Sequence, residues 1–172
     1  GDTSWEDVKR YAEQVIPEIR ANAPQALILC GTQDHSANLD GPLGNPIDDP
    51  NLMYDLHFYA DASKEKHFDA VYEEKLLRAK LPIFVSEWGI SYGKLDDTHI
   101  KSPQDSRLSF QEAKEFAAFL RKNQISWTYW SLSNKAEAHS IVLPSSSKKS
   151  NWESRDLTPS GILVRRLLSE KE

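Results

Sequence analysis

The chain has 172 residues, 39% of them apolar and 27% charged, with a formal net charge of −5. This is an ordinary soluble composition, long enough for one domain with its own core, and the negative balance disfavours nucleic acid or an anionic membrane as a partner. The single cysteine, Cys30, excludes an internal disulfide and a thiolate metal cluster, and no apolar run approaches the ~20 residues needed to span a bilayer.

The chain opens on Gly1, and its only methionine is Met53. Its start is therefore expected to be a cut, and the first residues carry no signal-peptide pattern. In "SWEDVKRYAEQVIPEIRANAP", Trp5, Val8, Tyr11, Ala12, Val15, Ile16 and Ile19 recur at helical spacing. Ser4 is the expected N-cap, with Asp7 three residues on, and Pro24 closes the segment. "ALILCG" (26–31) reads as a buried strand, with Cys30 an inert core thiol. A Gly-, Pro-, Asn- and Asp-rich loop is expected over 32–50; its "DGPLGN" is a turn, not a phosphate-binding loop.

"LMYDLHFYA" (52–60) is the second expected strand, followed by a helix over 63–80 with Phe68, Val71, Tyr72 and Leu76 on one face. "PIFVSEW" (82–88) is the third strand, and 90–106 is a polar loop. A capping box, Ser109 to Glu112, is expected to start a helix that buries Phe110, Ala113, Phe116, Ala117 and Leu120. "ISWTYWSLS" (125–133) is the fourth strand, and a loop follows over 136–156. The last helix opens with Thr158 as N-cap and Pro159 at its first position, and is expected to bury Ile162, Leu163, Leu167 and Leu168. Strands alternating with helices predict an α/β fold with a parallel sheet.

The polar strand residues gather at the C-terminal ends, where α/β sheets and barrels build their sites. Period-two alternation predicts Ile83, Val85 and Glu87 on one interior face, with Phe84, Ser86 and Trp88 on the other. A buried carboxylate needs a partner. Glu87 is therefore either a reactive group or a strand-end acid capping a helix or pairing with a surface Arg. His57 and Tyr59 share a face of their strand, suited to bonding a carboxylate and a ligand, or to filling a core. Trp130 arrives at the same rim, with Lys135 and Glu137 beyond it. Indole stacking plus charged hydrogen-bonders is how proteins hold a sugar ring, although Trp and Tyr also fill cores. No His-x-x-x-His or comparable ligand spacing implies a metal, and no cofactor is implied.

Taken together, "YAEQVIPEIR", "LMYDLHFYA", "PIFVSEWG" and "ISWTYWSLSNKAEA", in that order, resemble the C-terminal half of a glycoside hydrolase family 5 endoglucanase (cellulase). The resemblance covers nearly the whole chain. It implies that residues 1–172 form the C-terminal half of a (β/α)8 barrel, with about four parallel strands matching the fifth to the eighth of the family's domain. It implies a catalytic nucleophile at Glu87, a Tyr59 bonded to it and a His57 lining the catalytic subsite. Trp130 then stacks on glucose, Lys135 and Glu137 bind sugar hydroxyls, and His35 falls near a position that the family commonly gives to a leaving-group-side aromatic. The implied reaction is retaining hydrolysis of a β-1,4-glucan, with two carboxylates ~5–5.5 Å apart, in a secreted enzyme.

The family's acid/base Glu sits in an Asn-Glu-Pro that this sequence lacks. The chain is therefore expected to hold the nucleophile half alone. Four strands would leave two open edges and an open inner face, so a partner is expected: the missing N-terminal half-barrel or a second copy. The alternative is a non-catalytic half-barrel that binds glucan or self-assembles.

Overall fold

Four strands run parallel and pair in chain order: β1 (Ile28–Cys30), β2 (Leu52–Ala60), β3 (Ile83–Ile90) and β4 (Trp127–Tyr129). The computed structural model describes residues 3–61, 74, 76–77, 80–91 and 103–169, the side chains of 103–106 and 108 excepted. Its helices are α1 (Trp5–Asn22), α2 (Gln33–Ser36), α3 (Asp40–Gly44), α4 (Pro103–Lys122) and α5 (Pro159–Ser169). Parallel neighbours require long crossovers. Here α2 and α3 lie in the first crossover and α4 in the third. The helix expected over 63–80 lies outside the described residues, apart from Glu74, Leu76 and Leu77, which are helical. The result is half of a (β/α)8 barrel, with β1 and β4 as its edges.

One face of the sheet is sealed by helices. Tyr54, Leu56, Val85, Trp88 and Ile90 are buried there with Phe116 and Leu120 of α4. Trp88 sets its ring edge-on to Phe116, Trp127 and Tyr129, at centroid distances of 5.8, 5.4 and 5.0 Å. Burying each such large side chain stabilises the fold by about 1.5–3 kcal/mol. Helix α1 joins the same layer. Its N-cap Ser4 accepts the Asp7 N–H, as the sequence implies. Trp5 packs edge-on against Tyr54, and its Nε1 donates to the Asn45 carbonyl at 2.8 Å.

The boundaries depart from expectation at several points. The first strand keeps only 28–30 of 26–31, and the fourth only 127–129 of 125–133. The chain leaves the β4 ladder at Trp130, whose peptide bond to Ser131 is cis. The expected loop over 32–50 contains α2 and α3, and α2 is a left-handed turn, with φ of 54°, 55° and 62° at Asp34, His35 and Ser36. Thr32 closes that turn from both sides, its C=O accepting from the Ser36 N–H and its N–H donating to Ser36 Oγ. Ser109 and Glu112 are not a capping box. They lie inside a helix that already begins at Pro103, where Ser109 is buried and Glu112 Oε2 accepts the Asp61 N–H at 3.0 Å. In α5, capped by Thr158 Oγ1 on the Gly161 N–H, Val164 is buried and Leu168 is exposed.

The largest correction concerns β3. Asp55 and His57 of β2 pair with Phe84 and Glu87, so two residues along β2 match three along β3. The same offset recurs against β4, where Val85 pairs with Trp127 and Trp88 with Tyr129. A bulge of one residue therefore sits at Ser86, and it breaks the period-two alternation. Val85 and Trp88 both face the helices. Glu87 does not share the face of Ile83 and Val85; the bulge turns it to the opposite, inner face beside His57.

Candidate active site

The inner face near the C-terminal ends of β2 and β3 is where the predicted residues meet. On the regular strand β2, residues 55, 57 and 59 share that face while Leu56 and Phe58 pack outward, Phe58 against Phe116 at 4.2 Å between ring centroids. The Tyr59 hydroxyl donates to Glu87 Oε1 at 2.5 Å. Burial first, and then the bond to Glu87 and its charge, push the Tyr59 phenol well above its ordinary range, with Tyr129 and Glu137 adding to the shift. Tyr59 therefore remains a proton donor. Glu87 Oε2 carries no hydrogen bond to a described residue.

His57 is beside Glu87 in register, yet the carboxylate that it meets is Asp55: its Nε2 lies 2.9 Å from Asp55 Oδ2 and 3.1 Å from Ser86 Oγ. The other oxygen of Asp55 accepts the Ser86 N–H at 3.2 Å. Across β3, the Thr128 hydroxyl of β4 donates to the Ser86 carbonyl.

Trp130 follows β4, with its N–H on the Trp88 carbonyl at 2.9 Å and the residue as a whole 46% exposed. Glu137 Oε2 lies 3.0 Å from His139 Nε2, and the His139 ring meets Tyr59 edge-on at 5.8 Å. Gly89 is the floor under this group. A Cβ there would stand 2.9 Å from the Trp130 carbonyl oxygen and 3.1 Å from both His139 Cβ and Tyr59 Cε1. Only glycine lets β3, Tyr59 and the Trp130 loop close on one another. The structure thus brings together Glu87, Tyr59, His57, Trp130 and Glu137. Lys135 is exposed on the same loop. His35 is exposed in the left-handed turn after edge strand β1, and no hydrogen bond links it to the Glu87 group.

Sequence reasoning gave no part in the site to Asp55, Ser86, Thr128 or His139. The signal for the bulge was present: "SE" puts two successive polar residues between the bulky Val85 and Trp88, which strict alternation does not allow. Cys30 is buried, and burial followed by the charge of Asp55 pushes its thiol up, which leaves it unreactive.

Acid, phenol, imidazole and exposed indole at the C-terminal rim of a parallel sheet suit covalent chemistry on a sugar. Comparison with known proteins points the same way. Residues 1–136 match the family described as cellulase (glycosyl hydrolase family 5). Endoglucanase A of Evansella cellulosilytica is 34% identical over 167 residues, covering 96% of this chain and 32% of that protein. Cellulase CelDZ1 of Thermoanaerobacterium is 36% identical, covering 94% of this chain and 42% of that protein. Among solved structures, a thermostable, halotolerant GH5 cellulase from an Icelandic hot spring isolate superposes with a TM-score of 0.77 at 35% identity, over 97% of this chain and 51% of that one. The catalytic domain of Thermobifida fusca endoglucanase Cel5A, in complex with cellotetraose, gives 0.78 at 27% identity, over 98% and 54%. The chain thus spans about a third to two fifths of these curated relatives and about half of these solved domains. It belongs to the cellulase family, glycosyl hydrolase family 5.

Proposed function

We propose that this chain is the nucleophile-bearing half of a retaining endo-β-1,4-glucanase, its strands standing for the fifth to the eighth of the barrel. The observation that carries the reading is the 2.5 Å bond from Tyr59 to Glu87 Oε1 on the inner face. It orients the carboxylate and leaves Oε2 for attack. In the proposed first step Oε2 bonds to the anomeric carbon, the glycosidic C–O bond breaks, and the leaving oxygen takes a proton from an acid on the partner half. Water, deprotonated by the same group, then cleaves the glycosyl ester and frees Glu87. Trp130 stacks on a glucose ring, with Lys135 and Glu137 bonding its hydroxyls. His57 lines the catalytic subsite. The same reading assigns the protein to the outside of the cell, where polymeric glucan is met.

Support for a partner comes from the open side of the fold. Tyr11, Leu27 and Leu29 are exposed apolar residues at the β1 edge, and Tyr11 and Leu29 help line a groove of about 400 Å³ between α1 and β1. The occupant is the N-terminal half-barrel carrying the acid/base Glu, or a second copy of this chain. A monodisperse, cooperatively melting monomer in sedimentation and calorimetry would count against both.

The functional test is complementation. Mixed with an acid-bearing N-terminal half from a family relative, the chain is expected to hydrolyse soluble cellulose derivatives, and Glu87→Gln to abolish this. Undiminished activity in Glu87→Gln would remove the nucleophile assignment. The exposed Trp130 favours a second reading, a glucan-binding half-barrel without turnover. Titration with cello-oligosaccharides, weakened by Trp130→Ala, supports that reading if the complemented chain stays inactive.

A further inference from the structure

A bulge costs a strand its ladder bonds, and the freed peptide groups take other partners. At Ser86 both are found in side chains of the flanking strands. Asp55 of β2 takes the N–H at 3.2 Å, and Thr128 of β4 donates to the carbonyl. On either side the ladder is backbone to backbone, with the Val85 N–H on the Ser126 carbonyl and the Trp130 N–H on the Trp88 carbonyl. The clamp sits at the one residue whose insertion turns Glu87 to the inner face.

Asp55 does a second thing with its other oxygen. His57 Nε2 lies 2.9 Å from Oδ2, and the Asp55 side chain is only 13% exposed. At this distance a carboxylate oxygen repels a bare ring nitrogen and attracts an N–H, so the contact favours the proton on Nε2, although the hydrogen bond itself is aligned on Ser86 Oγ. The imidazole is thereby held in one tautomer and one ring orientation, with Nδ1 left as its acceptor nitrogen when neutral. Ser86 Oγ, 3.1 Å from the same Nε2, can either donate or accept, so it fixes neither.

We propose that Asp55 is a positioning residue of this site, pinning the Ser86 bulge that presents Glu87 and locking His57 as its Nε2–H tautomer. Its effect on turnover rests on the reading of Glu87 as nucleophile; its effect on His57 does not.

The test is the ¹⁵N spectrum of the histidine-labelled chain, with His57 assigned by its loss in His57→Gln. Neutral His57 is expected to show a protonated Nε2 and a bare Nδ1. In Asp55→Asn the amide can still accept the Ser86 N–H, but now offers an N–H to Nε2, and the tautomer is expected to invert. Ser86→Ala keeps the Asp55 contact and is expected to leave the tautomer unchanged. In the complemented enzyme, Asp55→Asn is expected to lower kcat on the order of 10- to 100-fold through misplacement, with KM nearly unchanged. A bare Nε2 in the unmodified chain overturns the proposal with no variant needed. So does an unchanged tautomer in Asp55→Asn or inversion in Ser86→Ala. If Glu87→Gln proves active while the tautomer behaves as stated, the nucleophile assignment fails and the role of Asp55 toward His57 stands.

Discussion

The two faces of the central strands differ in how finished they are. On the helix side, Trp88 is fully buried and held by three aromatic edges. On the inner side, His57, Tyr59 and Glu87 are only half-buried, and Leu29 of the edge strand β1 is 42% exposed. The strands therefore do two different jobs with one backbone. The outward face supplies stability from within the chain. The inward face carries the proposed chemistry and is the face that the proposed partner half would cover, as expected of a barrel divided through its axis. The Ser86 bulge lets β3 serve both, keeping Val85 and Trp88 outward while Glu87 turns in.

The comparison can be broken most forcefully from the sealed side. Trp88→Ala is expected to cost about 3–5 kcal/mol, read as the shift in the urea midpoint, and a loss under about 1 kcal/mol would mean that this face is not the core. Tyr59→Phe tests the inner side. Removing a hydrogen bond to a charged group costs about 1.5–3 kcal/mol, so the chain should lose stability by no more than that, while kcat/KM of the complemented enzyme should fall about 10- to 100-fold through the misplaced carboxylate. Gly89→Ala lies where the faces meet. Its Cβ would crowd the Trp130 carbonyl and His139, for an expected loss of about 1–3 kcal/mol in stability together with weaker glucan binding.

Charge gives a smaller effect on the sealed side. Arg20 bonds both oxygens of Asp49, at 2.9 and 2.6 Å, and this holds the Asp49 carboxyl below its usual range. A folded-state pKa below the unfolded value near ~3.9 stabilises above that pH and is lost as pH falls through the folded value. Melting temperature should therefore drop as pH falls below about 4, less steeply in Arg20→Met; equal slopes would dismiss the pair. The smallest effect is expected at the open edge, where Leu29→Ser should change chain stability by about 0.5 kcal/mol or less yet weaken pairing with a partner half.

Strand β2 was legible in full because nothing interrupts its period, and so His57 and Tyr59 were assigned to one face from alternation alone. Strand β3 was misread because its one mark of an inserted residue, the polar pair in "VSEW", was taken as ordinary alternation. Helix α4 was begun too late because "PQDSRL" is polar and the Ser109–Glu112 spacing imitates a cap. The contacts of Asp55 with Ser86 and of His139 with Tyr59 depend on how the strands and the Trp130 loop are set against one another, which no local pattern encodes. Family motifs supplied the roles proposed for Glu87 and Trp130; the register that aims Glu87 came only from the structure.

The central claim is that Glu87 forms the covalent bond to sugar. The most direct measurement incubates the complemented chain with a fluorinated cellobioside bearing an activated leaving group, which forms the glycosyl ester but hydrolyses it slowly, and then maps the labelled peptide by mass spectrometry. The label is expected on Glu87 within "FVSEWGISYG" and absent in Glu87→Gln. A label on Asp55, Glu137 or the partner half, or equal labelling of the Glu87→Gln variant, would contradict the account.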